Sequence, residues 1–149
     1  MKKCINEMKL RLPAVSENER VARAVICAFV STLNPTVEEL SDLRCAVSEA
    51  VTNAVVHAYP CGEGQMYISV RLYDVREVSV EICDRGVGIA DVEAARRPHF
   101  TTGTEGERCG MGFLVMESFT DTVTVKSRPG RGTRVLLKKI LGPVSQGEL

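Results

Sequence analysis

Glu49 and Asn53 stand four residues apart in the run Val47-Ser48-Glu49-Ala50-Val51-Thr52-Asn53-Ala54. On a helix that spacing stacks a carboxylate and a carboxamide one turn apart, away from the apolar stripe. The amide oxygen suits a hard cation such as magnesium, and the carboxylate can hold a water or take a proton. An ordinary solvated helix face fits the two residues as well. A second group, Asp84-Arg85-Gly86-Val87-Gly88, follows an alternating apolar run. Its glycines permit close approach of a ligand to the backbone. An aspartate held at such a turn can accept the exocyclic amino hydrogen of adenine, which guanine does not offer at that position. A plain hairpin end also fits. The third group runs from Gly103 through Thr104, Glu105, Gly106, Glu107, Arg108, Cys109, Gly110 and Met111 to Gly112, just before a short apolar segment. Glycines at a helix start expose backbone N–H groups to an anion, and Arg108 adds a cation for phosphate. A surface loop explains the glycines but not their place before a helix.

The elements that must position these groups can be read from periodicity. Met8, Leu10 and Leu12 alternate with charged residues and predict a short first strand ended by Pro13. Ser16 and Glu19 have the spacing of a capping box, and Val21, Ala24, Val25, Ala28 and Phe29 predict a helix over 17–33. Thr36 and Glu39 repeat the box before a stripe of Leu40, Leu43, Val47, Ala50, Val51, Ala54 and Val55, a helix of about five turns. Met66, Ile68, Val70 and Leu72, then Val78, Val80 and Ile82, predict a hairpin turning at Asp74-Val75-Arg76. Residues 91–96 suit a short helix, 100–112 a mobile loop, and 113–119 another helix. Strands at 122–126 and 133–139 are joined through Ser127-Arg128-Pro129-Gly130-Arg131-Gly132. The hairpins exclude a doubly wound parallel sheet. The expected fold is an α+β two-layer sandwich, with a mixed, mostly antiparallel sheet and helices on one face. Residues 1–149 are read as a single domain, with 142–149 as a frayed tail.

Composition narrows the function. The 149 residues are 44% hydrophobic, enough for one core, and carry 19 basic against 19 acidic side chains. Zero formal charge disfavours direct nucleic-acid binding. No apolar run long enough for a membrane span and no signal peptide is present, so a cytoplasmic protein is expected. The six cysteines form no Cys-x-x-Cys pair, which points to free thiols rather than a zinc site. Neither a Gly-x-x-x-x-Gly-Lys-Ser/Thr phosphate loop nor a Gly-x-Gly-x-x-Gly turn occurs, so a nucleotide would need another architecture.

In order and spacing, Glu49-x-x-x-Asn53, Asp84-x-Gly86-x-Gly88 and Gly110-x-Gly112 resemble the N, G1 and G2 boxes of the GHKL ATPase superfamily, shared by gyrase, the ninety-kilodalton heat-shock chaperone, histidine kinases and mismatch-repair ATPases. The likeness runs from about Met8 to Ile140. Within it, Val47–Ala54 and Phe100-Thr101-Thr102 with Gly110-Met111-Gly112-Phe113 resemble the anti-sigma-F factors of spore-forming bacteria. That resemblance implies an ATP-dependent protein serine/threonine kinase that binds a sporulation sigma factor and phosphorylates its anti-anti-sigma antagonist on serine, as a homodimer. It implies that Asn53 coordinates Mg2+, that Glu49 is the general base, and that Asp84 reads adenine with help from Thr133. Gly86 and Gly88 would shape the adenine turn. Thr101, Thr102, Arg108, Gly110, Met111 and Gly112 would form the lid over the phosphates, and Arg23 would touch the sigma factor. Gly103 departs from the lysine common at that lid position. Rival readings are a stress-response anti-sigma factor with the same kinase fold, a histidine-kinase catalytic domain, gyrase-like machinery, and a module that holds ATP without turnover.

Overall fold

Among the described residues, which are 1–60, 62–97 and 112–144, the computed structural model forms one five-stranded sheet. Its strands are β1 (Cys4–Pro13), β2 (Gln65–Tyr73), β3 (Glu77–Asp84), β4 (Thr122–Arg128) and β5 (Gly132–Ile140), in the order β1-β2-β3-β5-β4. All four pairings are antiparallel, which sharpens the expected mostly antiparallel sheet. The helices are α1 (Glu17–Val30), α2 (Val37–Thr52), α3 (Val92–Ala95) and α4 (Gly112–Phe119). The chain between β3 and β4 passes through α3 and α4, so β5 rather than β4 lies beside β3.

The alternation in the strands sets the two layers. Ile68, Val70 and Leu72 of β2, Val78, Val80 and Ile82 of β3, and Val135 and Leu137 of β5 are buried in one cluster with Leu43, Ala46, Val47, Ala50 and Val51 of α2 and Ala54 just beyond its end. The opposite sheet face carries Lys9, Arg11, Tyr67, Arg71, Glu81, Arg134 and Lys138 around a broad depression of about 830 Å³. That depression is not where the three sequence motifs meet.

Two helix expectations need correction. The capping box at Thr36 forms: Glu39 N–H donates to Thr36 Oγ1 at 3.0 Å, and Thr36 N–H to Glu39 Oε1 at 2.9 Å. The box at Ser16 does not. Ser16 is itself helical (φ −59°, ψ −33°), so its hydroxyl makes no cap, and only backbone bonds close the first turn. Helix α1 also turns a different face inward. Ala22, Ile26 and Val30 are fully buried with Phe29 packed beside them, while Val21 is 42% exposed and Ala24 and Ala28 face solvent. Nine of the ten residues 21–30 are apolar or small, so the periodicity allows two phases and the bulk of Ile26 selects one.

Strand β1 begins earlier than its apolar alternation suggested, at Cys4, with a register break between Cys4 and Asn6. The cysteines at 4, 27, 45 and 83 are free, though Cys4 and Cys45 are exposed rather than buried.

Candidate functional site

Helix α2 supplies the first two groups. Asn53 N–H bonds back to the carbonyls of Glu49 and Ala50, so the carboxamide remains one turn beyond the half-buried Glu49. From Asn53 to His57 the chain then widens into a π-helical turn, which no sequence signal announced. That turn delivers Ala58 to the loop after β3, where the Ala58 carbonyl accepts Val87 N–H at 2.8 Å. A Cβ on Gly86 would lie 1.9 Å from the same oxygen, so only glycine lets this loop rest on the helix end. Gly88 adopts a φ of +75°, and Gly130 N–H donates to Val87 O at 2.7 Å, which ties the loop to the β4–β5 turn on its other side.

Asp84 is the last residue of β3 and pairs in register with Thr133 of β5. Its Oδ1 accepts Gly86 N–H at 3.0 Å and Thr133 N–H at 3.2 Å, and both of these bonds fall on the same oxygen. Burial pushes the Asp84 carboxyl above its ordinary range, and the two backbone N–H groups only partly offset that. The second oxygen thus belongs to a desolvated carboxylate whose affinity for a donor is high.

Gly112 opens α4 directly above the first pair. A Cβ there would come 3.3 Å from Glu49 Oε2 and 3.8 Å from Asn53 Oδ1. Glu49, Asn53 and an eight-residue helix's N-terminus are therefore together, which places a carboxylate, an amide oxygen and anion-favouring N–H groups around one point. No group of three or more His, Cys, Asp or Glu side chains able to hold a metal occurs among the described residues. One amide oxygen and one carboxylate fit a magnesium ion that keeps its waters and arrives with phosphates, rather than an all-protein cage.

The structure thus brings together Glu49, Asn53 and Gly112, and separately Asp84, Gly86, Gly88 and Thr133, with the π-turn between. Thr101, Thr102, Arg108, Gly110 and Met111 lie outside the described residues. Arg23 is half-buried on α1 near Cys27 and joins neither group. Two residues went unnoticed in the sequence. Tyr59 Oη accepts Arg85 N–H and donates to Gln65 O, both at 2.7 Å, so it braces the turn after β3. Ser127 Oγ accepts Ile89 N–H at 2.7 Å and lies 2.9 Å from Thr133 Oγ1.

A family model described as "Histidine kinase-like ATPase domain" matches residues 12–139. The chain is 52% identical to an anti-sigma F factor of Pasteuria penetrans, over 91% of each chain. It is 49% identical to that of Bacillus licheniformis, over 91% of this chain and 93% of the other. Among solved structures, the RsbU and RsbW domains of a Mycobacterium tuberculosis protein superpose with a TM-score of 0.69 at 19% identity, covering 94% of this chain and 34% of that one. The mycobacterial sensor histidine kinase MprB gives 0.57 at 15% identity, covering 92% and 100%. These two likenesses concern the fold alone.

Proposed function

Since the chain belongs to the histidine kinase-like ATPase domain family, in its anti-sigma F factor branch, we propose that it is an ATP-using anti-sigma factor. It binds a sporulation sigma factor in the cytoplasm, as a homodimer that contacts the sigma factor through Arg23. It phosphorylates the competing anti-anti-sigma factor on a serine. No helix among the described residues is long and apolar enough to cross a membrane.

The observation that carries the kinase reading is Gly112 seated over Glu49 and Asn53. Adenine enters at the other end, where Asp84 accepts its amino hydrogen and Thr133 lies alongside; Gly86 and Gly88 shape the turn by letting it rest on the Ala58 and Arg128 carbonyls. The phosphates then reach the start of α4, with Thr101, Thr102, Arg108, Gly110 and Met111 as the proposed phosphate contacts. Asn53 Oδ1 would be the protein ligand that holds magnesium, and the ion would supply charge neutralisation on the transferring phosphoryl group. Glu49 takes the proton from the attacking serine hydroxyl, and its approach to Gly112 keeps that carboxylate beside the phosphate end.

The test is transfer of labelled γ-phosphate to the purified antagonist. Glu49→Gln is expected to lower transfer by about 10²–10⁴-fold, the contribution of a positioned base, with the ATP dissociation constant held within a few-fold. Transfer at near the wild-type rate would remove Glu49 from the mechanism.

A further inference from the structure

Asp84, Thr133 and Ser127 form a row across three neighbouring strands, because Thr133 is the register partner of both Asp84 on β3 and Ser127 on β4. Directly opposed residues share a sheet face, so the three side chains stand on the helix-covered side, at the end where the loop 85–88 closes on the helix. Ser127 Oγ has three neighbours: Ile89 N–H at 2.7 Å, Gly132 O at 2.9 Å and Thr133 Oγ1 at 2.9 Å. A serine hydroxyl has one proton and two lone pairs. Ile89 can only donate and takes one lone pair. Gly132 O can only accept, whereas Thr133 Oγ1 can do either. When the Ser127 proton points to Gly132 O, Thr133 must donate to Ser127 and presents only lone pairs outward. When the Ser127 proton turns to Thr133, the Thr133 proton is released to a ligand.

We propose that Ser127 is a positioning residue for base recognition: it holds the Thr133 hydroxyl beside Asp84 and, by turning its own proton, makes Thr133 a donor. Asp84 then accepts from the adenine amino group while Thr133 donates to the ring nitrogen next to it. A carboxylate acceptor beside a hydroxyl donor matches the adenine edge, and guanine presents the reverse polarity at its six-position. Ser127 also joins the two loops beside this row, since Ile89 follows the Gly86–Gly88 turn and Gly132 ends the β4–β5 turn. This inference rests on the ATP reading given above.

The experiment compares dissociation constants for ATP, 1-deaza-ATP and 7-deaza-ATP in wild type, Ser127→Ala, Ser127→Thr and Thr133→Val, with thermal melting to confirm folding. Wild type is expected to prefer ATP over one of the two deaza analogues by about tenfold, the worth of one hydrogen bond; which analogue suffers identifies the nitrogen. Ser127→Ala leaves the Thr133 hydroxyl unheld, and for that reason should bring the ratio near one, as Thr133→Val does by removing the donor, and Ser127→Thr should restore it. A purely structural serine would weaken all three nucleotides alike and leave the ratio intact, which would overturn the inference. Wild-type protein that binds no adenine nucleotide would overturn the ATP reading itself.

Discussion

Asp84 illustrates at the residue scale how binding and stability pull apart. Its carboxyl is held above the ordinary aspartate value by burial, against the pull of Gly86 N–H and Thr133 N–H. A raised folded-state pKa means that protonation favours the folded protein. The stabilisation is full below the unfolded pKa and is lost as pH rises through the folded one. At neutral pH the ionised carboxylate is therefore a cost to folding. Asp84→Asn keeps the shape, removes the charge, and reverses the polarity at the second oxygen. It should match or exceed wild type in thermal midpoint at neutral pH, yet lose roughly 10–100-fold in ATP affinity, the worth of a hydrogen bond to a charged group. Calorimetric titration on both proteins decides it. In wild type the ATP affinity should also begin to fall on acidification at a pH above that of an ordinary aspartate. Gly112 gives the complementary case. A methyl on it would press on Glu49 Oε2 from 3.3 Å, with no positive φ to forbid it. Gly112→Ala should fold normally and lower phosphotransfer more than ATP affinity, as a split between rate and binding constant would register.

Among the elements, the loop after β3 depends on what lies to either side. The end of α2 and the β4–β5 turn hold it through Val87 N–H to Ala58 O and Gly130 N–H to Val87 O. Gly86→Ala must break the first contact, because its Cβ would fall 1.9 Å from that carbonyl. The expected cost is about 1–3 kcal/mol, typical of overpacking, with nucleotide binding lost at the same time; a urea titration and an ATP titration of the variant test both. The sequence made α2 legible because Leu43, Val47, Ala50 and Val51 leave one choice of face. Alternation likewise marked β2 and β3, and the acid–amide pair and the Asp-x-Gly-x-Gly turn stood out by type and spacing. Other features depend on tertiary contacts that one sequence does not display. Ser127 sits in a Ser-Arg-Pro-Gly-Arg-Gly run that reads as a turn, while the strand continues to Arg128 and makes it the partner of Thr133. The π-turn at 53–57 has apolar periodicity indistinguishable from an α-helix. Ser16 has the right spacing for a cap but the wrong backbone conformation, and α1 carries too many small apolar residues to fix its phase.

Across the whole molecule, β3 connects two ends with different duties. Asp84 marks the end proposed for the nucleotide; Glu77, seven residues away and roughly 23 Å at strand rise, marks the other. There Arg76, in a left-handed conformation (φ +62°), donates to Leu33 O and Gly142 O, both at 2.6 Å. Glu39 accepts Gly142 N–H at 2.7 Å through the oxygen its capping box leaves over. The helix junction, the β2–β3 turn and the chain leaving β5 are thus fastened at one point, and Gly142, the first residue of the expected tail, is bonded through both its N–H and its C=O. Burial works against the Glu39 charge, but the N–H groups of Thr36 and Gly142, the Thr36 hydroxyl and the Arg76 charge outweigh it, so the carboxyl lies below its ordinary value of 4.5. A lowered folded-state pKa contributes stability that is full above 4.5 and lost as pH falls through the folded value. Glu39→Gln retains an oxygen able to close the capping box, removes the charge, and puts an amide NH2 in place of the oxygen that accepts Gly142 N–H. Its urea midpoint should lie below wild type at neutral pH, and the two curves should converge as the solution is acidified past the Glu39 transition. Because the fastening is at the far end of β3, the ATP dissociation constant of the variant should equal that of wild type at neutral pH. Parallel curves down to acid pH would remove Glu39 as the titrating group, and a changed ATP affinity would mean that the two ends of the sheet are coupled.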